Sequence, residues 1–451
     1  MTGGALAEAL VARGLDSSEL TAKRSLFGLI LARFESLDGL ATPYSADAVH
    51  VWWVPGRLEV FGTHTDYAGG HTLVCAVPRG FAVIARRRTD DLVRVVDAKR
   101  EQGVSLIPAE ELHDLASPSS RPGWRRYVAV VSRRLLRNFP GAKLGADLVL
   151  ASDLPRASGM SSSSALVVGV ATALVHAGSL RTRDEWRRNI HDAADEAGYY
   201  ACMENGLSFG SLEGDGGVGT HGGSEDHAAI LTATAAHLSA FTFVPMRPLG
   251  VVRLPPSWRF VLTPSGVTAQ KAGTMREAYN RLSEGTGILR QVWNVTGSDS
   301  APSLHAALTS SGHDVLDGER IDRLRQAILR AEAPGWSAED LSRRLSHFVG
   351  EDARTMEAVD AFRHTDQVRV GQLAADSQSD AETLLGNQIP ETIALTVRAR
   401  ELGAFAARSF GAGFGGSVWA LVDDDRAEEF ARRWTADAFV AKPGPPLSEL
   451  I

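Results

Sequence analysis

The sequence predicts an α+β protein built in two lobes. Short β-branched or alternating segments are interspersed with longer segments of helical period. The two kinds do not follow one another as strict strand–helix–strand units, which argues against a parallel α/β sheet. The length of 451 residues, with 44% hydrophobic and 22% charged, allows two or three domains. The expected division is residues 1–235 and 236–451.

Residues 5–13 and 19–36 carry helical periodicity, and Val49 to Val54 reads as an apolar strand. Gly80 to Arg87 and Leu92 to Asp97 suggest a hairpin closed by Thr89-Asp90-Asp91. Arg125 to Phe139 is predicted helical and Ala146 to Ser152 a strand. Leu154 to Gly178 reads as a glycine/serine turn opening a long apolar helix. Arg183 to Gly206 is a further helix, ended by Asn205-Gly206. Residues 206–224 are too glycine-rich to form an element. Ile230 to Thr242, Arg259 to Thr263 and Ser417 to Val422 are expected strands. Residues 270–294 and 319–402 are mostly helical, with breaks near 295–303 and 334–337, and Asp425 to Ala436 is a helix. No internal repeat is visible.

The net charge is −7, without a basic tract or basic-aromatic interleaving, so nucleic acid is not an expected partner. No apolar run reaches the ~18 residues of a membrane span. The two cysteines, Cys75 and Cys202, sit in apolar surroundings without a CxxC partner and read as reduced core residues. The N-terminus lacks the pattern of a signal peptide. A soluble, cytoplasmic protein, monomeric or a small homo-oligomer, is expected.

Three motifs carry chemistry. The first is PGRLEVFGTHTDYAGGHTL, Pro55 to Leu73. It gathers an arginine, a histidine, an aspartate, a tyrosine and hydroxyls between turn-forming glycines. That inventory suits a small polyhydroxylated ligand, because every buried polar group left unpaired costs about 1–3 kcal/mol. Alone, it would also fit a polar loop between two strands. The second is LPRASGMSSSSA, Leu154 to Ala165, between a predicted strand and a predicted helix. Small residues let the backbone wrap a phosphate, and the free N–H groups at a helix N-terminus favour an anion. Four serines exceed what one helix cap requires. No GxxxxGK[ST] occurs, so this is not a Walker loop. The third, GAGFGGS at Gly411 to Ser417, satisfies GxGxxG but precedes a strand instead of opening a helix. It predicts a glycine loop that closely approaches a ligand or another segment, or a tight β-turn.

In order and separation, these motifs resemble those of the GHMP small-molecule kinases. Pro55 to Gly70 is similar to the galactokinase signature, Leu154 to Ala165 to the family's proline-to-triple-serine loop, and Gly411 to Ser417 to its closing glycine loop. The likeness extends through Gly70 to Val96, Ala146 to His176 and Met203-Glu204-Asn205. It implies a two-lobed GHMP kinase fold, with an N-terminal lobe like ribosomal S5 domain 2 and a ferredoxin-like C-terminal lobe. It further implies transfer of the γ-phosphoryl of ATP, with Mg²⁺, to the anomeric hydroxyl of a galactose-type sugar.

Carried over by position, Asp226 would take or orient the hydroxyl proton and Arg57 would stabilise the transition state. Glu225 is the rival for the role of Asp226, and Arg57 has a structural partner available in Glu59. His64 and Asp66 would bind ring hydroxyls, and backbone at Gly223 would meet the sugar. Gly159, Met160, Ser161, Ser162 and Ser163 would cradle the phosphates, and Ser163 with Glu204 would hold Mg²⁺.

The sequence departs from the family pattern in three places. Thr63 stands where a glutamate binds the sugar's 6-hydroxyl. In KAGTMREAYNRLSE, a gapless register puts Arg276 near the position of a substrate-facing tyrosine, with Tyr279 as the alternative. A glycine-rich insertion, residues 212–220, lies close to the site in the manner of a lid. Thr63 and Arg276 together suggest a substrate altered at C6, such as galacturonate, since arginine pairs bidentately with carboxylates. Plain galactose is the alternative. A non-catalytic sugar and ATP sensor is the competing class, although such proteins are marked by damage to the serine loop or the catalytic residues. A mevalonate or homoserine kinase is disfavoured by the HTDYAGG segment.

Overall fold

The structure is a computed structural model that describes residues 1–37, 49–100, 104–107, 123–155, 159–267, 274–297, 299–310 and 314–451. Two sheets organise it. The first holds β1 (His50–Phe61), β2 (Thr72–Arg87), β3 (Val93–Asp97), β4 (Val104–Ile107), β5 (Ala146–Ser152), β6 (His237–Thr242), β7 (Arg247–Arg253) and β12 (Ser448–Glu449). Its order is β12-β1-β2-β5-β3-β4, and β6 and β7 extend from the first half of β2. The second sheet is antiparallel, in the order β11-β8-β10-β9, from β8 (Trp258–Pro264), β9 (Ala406–Phe410), β10 (Ser417–Asp423) and β11 (Phe439–Ala441). Strands β6, β7 and β12 belong to the first sheet, so the sheets are not contiguous halves of the chain.

The period of two in β1 explains the layering. Trp52 and Val54 point to one face and pack with Val170 and Leu174 of the helix Ser162–Ala177. Val51 and Trp53 point to the other, against Leu6, Leu10, Phe27 and Ile30 of the helices Gly3–Ala12 and Leu20–Glu35. A separate helical core unites Thr274–Thr296, Leu304–Leu308, Gly318–Ile328 and the first half of Ala338–Arg363. Its burial of Ala68 brings the first motif against this helical group.

Several elements differ from expectation. The hairpin of Gly80–Arg87 with Leu92–Asp97 does not form. β5 lies between β2 and β3, antiparallel to one and parallel to the other. With β2 and β3 on its two edges, β5 is paired on both sides inside the sheet, and its buried Asp147 is held by both Arg88 and Arg94. The expected strand Ile230–Thr242 is half helix: Glu225–Thr232 is helical and only His237–Thr242 is extended. The expected helix Arg183–Gly206 is two helices, Asp184–Asn189 and Ala193–Asn205, and Asp192 caps the second. The first motif is not wholly a loop, since β1 runs through Arg57 to Phe61. Residues 156–158 and 271–273 of the motif segments lie outside the described residues.

Candidate active site

A cavity lies where the three motifs meet. Each reaches it for a local reason. β1 delivers Arg57 and Glu59, two residues apart and therefore on one face of the strand. The chain then leaves the sheet through Gly62, whose φ of 101° suits glycine, and turns back into β2. The intervening loop presents His64, Asp66 and Tyr67 to the cavity. The serine motif ends in the N-terminus of the helix Ser162–Ala177. The third motif is the β9–β10 turn. A Cβ on Gly411 would lie 2.9 Å from the carbonyl oxygen of Gly159, so glycine there lets the two loops touch.

Arg57 is the electrostatic centre. Its Nε lies 2.7 Å from Asp226 Oδ1 and its Nη2 2.9 Å from Glu225 Oε1. Glu59 Oε2 is 3.5 Å away, and Nη1 donates to the Gly159 carbonyl at 3.1 Å. Burial would lower the pKa of Arg57, but the carboxylates of Asp226, Glu225, Glu59 and Asp66 outweigh it and hold the guanidinium charged. Burial pushes the Asp66 carboxyl up to about 6. Backbone N–H donors from Glu225 and Tyr67 oppose the shift, while Asp226 and Glu59 add to it. Burial also pushes Glu225 well up, against the pull of Arg57.

The two neighbouring acids are unlike. Glu225 is buried, whereas the Asp226 side chain keeps 22% of its surface exposed. Asp226 Oδ2 also accepts from Ser164 Oγ at 3.0 Å, and that hydroxyl lies 2.8 Å from Glu204 Oε2. Ser164 therefore ties Glu204 to Asp226, a role the sequence reading did not assign. Its only signal was the fourth letter of the serine run. Ser162 and Ser163 line the cavity beside it. Ser161 adopts φ 58° at the helix start, and its buried Oγ has no hydrogen-bond partner among the described residues. An orphaned hydroxyl at a helix N-terminus, facing the cavity, fits a phosphate oxygen. Glu204 and Ser163, both lining the cavity, supply the hard oxygen donors that suit Mg²⁺. Met160 does not line the cavity. It is fully buried, and its carbonyl accepts from the Arg57 backbone N–H at 3.4 Å.

The opposite wall is polar and held in place. His64, at φ 58°, places Nε2 3.1 Å from the Ala412 carbonyl and Nδ1 2.8 Å from Tyr67 Oη. A carbonyl only accepts, so Nε2 carries the proton and Tyr67 Oη donates to Nδ1. Arg344 completes the arrangement by donating to Tyr67 Oη at 3.0 Å and to the His64 carbonyl at 2.7 Å. Asp66 Oδ2 accepts from the Glu225 backbone N–H at 3.1 Å, which anchors the start of the helix Glu225–Thr232. A Cβ on Gly223 would stand 2.1 Å from that oxygen, so only glycine admits the contact.

Two residues expected to face the substrate, Thr63 and Arg276, do not line the cavity. Thr63 is 2% exposed and turns away from the cavity. Its hydroxyl donates to Glu59 Oε1 and accepts from Arg408. Arg408 also donates to Glu351 Oε1 at 3.1 Å, which accepts the backbone N–H groups of Gly62 and Thr63 as well. Arg276 does not line the cavity either; Tyr279, one helical turn on, does. The Arg276 guanidinium instead flanks Gly219, together with that of Arg126, which does line the cavity. The glycine-rich insertion is pinned at its start. Arg133 holds Asp215 at 2.7 Å, Arg137 holds Glu213 at 2.8 Å, and Asn138 donates to the Glu213 carbonyl.

Comparison with known proteins agrees with this geometry. A galactokinase galactose-binding signature matches residues 41–87, a GHMP kinase N-terminal domain residues 126–206, and a GHMP kinase C-terminal domain residues 358–441. The chain carries the galactokinase signature and both domains of a GHMP kinase, and so resembles a galactokinase-like GHMP kinase. Among the curated relatives, the galactokinase of Actinobacillus pleuropneumoniae serotype 3 is 28% identical over 407 residues, covering 89% of this chain and 92% of that one. The galactokinase of Roseiflexus is 29% identical over 382 residues, covering 83% and 84%. Lactococcus lactis galactokinase, solved with galactose, superposes with a TM-score of 0.71 at 21% identity over 93% of this chain and 99% of that one. Methanococcus jannaschii mevalonate kinase gives 0.55 at 13% identity, covering 88% and 99%. These likenesses bear out the two-lobed GHMP fold.

Proposed function

We propose that this protein transfers the γ-phosphoryl group of ATP to the anomeric hydroxyl of galactose, giving the sugar 1-phosphate and ADP. The observation that carries the reading is the position of Arg57. It lies against Asp226 at 2.7 Å and against Gly159 of the serine loop at 3.1 Å, so one cation faces both an acid and the phosphate loop. Curated relatives named as galactokinases support the substrate.

In this mechanism His64, Asp66 and Tyr279 grip the sugar, and Asp226 accepts the C1 hydroxyl proton. The charged Arg57 stabilises the equatorial oxygens of the transferring phosphoryl group. Ser161 and the free N–H groups of the helix N-terminus hold the phosphates. Ser163 and Glu204 would hold Mg²⁺, which neutralises phosphate charge when bound.

A substrate carrying a carboxylate at C6 loses its support, because neither Thr63 nor Arg276 lines the cavity while five carboxylates do: Glu59, Asp66, Glu204, Glu225 and Asp226. The direct test is ADP release with Mg·ATP and a panel of hexoses and uronic acids. Turnover with galactose and rejection of galacturonate is the expected result. ATP binding without turnover on any sugar would replace the enzyme with a sensor.

A further inference from the structure

One buried cluster is not used by this chemistry. His71 follows the Gly69-Gly70 pair, His305 lies in the helix Leu304–Leu308, and Asp352 lies in the helix Ala338–Arg363. They are 1%, 7% and 2% exposed. One ligand atom from each falls within 4.8 Å of the others. His71 Nδ1 stands 3.2 Å from Asp352 Oδ2, and His305 Nδ1 3.5 Å from Oδ1. A tetrahedral ion with bonds of about 2.0–2.1 Å separates its ligand atoms by about 3.3 Å, midway between these values. The two imidazole rings meet edge to face at 4.8 Å.

The cluster is incomplete as a hydrogen-bonded network. His71 Nε2 and His305 Nε2 are buried without a hydrogen-bond partner among the described residues, and His305 Nδ1 meets only the shared Asp352 carboxylate, at a long 3.5 Å. At 3.2 and 3.5 Å both Nδ1 contacts to the carboxylate are long for charge-assisted hydrogen bonds, and an ion seated among these atoms would replace them with direct ligand bonds. The carboxylate is already oriented, since Asp352 Oδ1 accepts from the His71 backbone N–H at 2.7 Å.

We propose that His71, His305 and Asp352 bind a zinc-type cation. Two imidazoles and one carboxylate suit Zn²⁺ and its borderline neighbours better than Mg²⁺, so this ion is distinct from the one that accompanies ATP. Three protein ligands leave one tetrahedral position to water. The ion would fasten the end of the loop carrying His64 and Asp66 to the helical group. Asp352 already presses on that loop, for a Cβ on Gly70 would stand 2.6 Å from its Oδ1.

The test uses the full chain, stripped with chelator and titrated with Co²⁺ and then Zn²⁺. One equivalent of Co²⁺ should develop the visible bands of a tetrahedral N/O site, and Zn²⁺ should displace it and raise the melting temperature. His305→Ala and Asp352→Asn should each weaken binding at least about a hundredfold. His176→Ala, in a second and more exposed group with His50 and Glu449, should leave the spectrum unchanged. Should a variant fail to fold, the titration of the unaltered chain decides. A chain that takes up no equivalent of Co²⁺ or Zn²⁺ at micromolar concentration has a hydrogen-bonded cluster only, and the proposal is overturned. Binding that survives His305→Ala, or disappears with His176→Ala, overturns it equally. None of these readouts depends on kinase activity, so the proposed phosphoryl transfer stands or falls separately.

Discussion

Asp226 Oδ1 lies 2.7 Å from Arg57 Nε, while Glu225, next in the chain, meets the same guanidinium at 2.9 Å from a more buried position. Both adjacent acids hold the arginine, and Asp226 keeps more of its side chain exposed to the cavity. Asp226→Asn keeps the shape and removes the proton acceptor. Its kcat should fall by about 10²–10⁴-fold, the usual value of a positioned base, with galactose binding by calorimetry close to that of the parent. Near-normal turnover would remove Asp226 from the mechanism. Glu225→Gln should lose less, since its burial already favours the neutral form.

Ser164 makes a narrower prediction. Its hydroxyl bridges Glu204 and Asp226 at 2.8 and 3.0 Å. Hydrogen bonds to charged groups are worth about 1.5–3 kcal/mol. Ser164→Ala should therefore lower kcat by about 10–100-fold, with the KM for galactose little changed. Loss confined to KM would show that the bridge does not position the acid.

Asp66 gives a pH signature. Its carboxyl is raised by burial from 3.8 to about 6, so the folded chain holds this proton more tightly than the unfolded chain. Its contribution to stability is then fully present below pH 4 and is lost as the pH climbs through about 6. Asn does not titrate. The melting temperature of Asp66→Asn relative to the parent should accordingly be higher at pH 7.5 than at pH 5, by about 1–2 °C, although sugar binding is weakened. A difference between the two proteins that is independent of pH would refute the assignment.

Beneath the cavity, Arg408 reaches Glu59, Thr63 and Glu351, all almost fully buried. Removing one partner of a buried ion pair strands the others and costs about 3–5 kcal/mol. Arg408→Ala should lose that much in denaturant unfolding. Arg408→Lys should recover only part of it, because an ammonium cannot fork between two carboxylates. A loss under about 1 kcal/mol would mean the network is not closed as described.

What the sequence revealed and what it hid follow from distance along the chain. The three loops were legible because glycine, serine and charged residues crowd into short windows with a mechanism attached. The supports were not. Glu351 and Asp352 clamp the two ends of the first loop, at Gly62-Thr63 and His71, from 281 to 289 positions away, with no local pattern to mark them. Thr63 read as a substrate-facing position because it stands where the family has a glutamate; its partnership with Glu59 and Arg408 turns its hydroxyl inward. The segment Ile230 to Thr242 carries β-branched residues, yet its first part is drawn into a helix whose start Asp66 holds from the other motif. The apparent hairpin failed for a similar reason. The strand that separates its arms arrives 49 residues after the end of β3.

Those same positions decide the sugar. Tyr279 lines the cavity, its ring centroid 5.6 Å from that of His64, while Arg276 sits beside Gly219. A uronate would bring its carboxylate in among acidic side chains, and although burial favours the neutral form of Glu225, the remaining like charges placed together cost several kcal/mol. The specificity constant for galactose should therefore exceed that for galacturonate by at least about a hundredfold. Arg276→Ala should leave this ratio within about twofold. Tyr279→Phe should raise the KM for galactose by about tenfold, the loss of one hydrogen bond of about 1.4 kcal/mol. Preference for galacturonate, abolished by Arg276→Ala, would restore the guanidinium to the sugar site and require the helix Thr274–Thr296 to turn that residue inward when substrate binds.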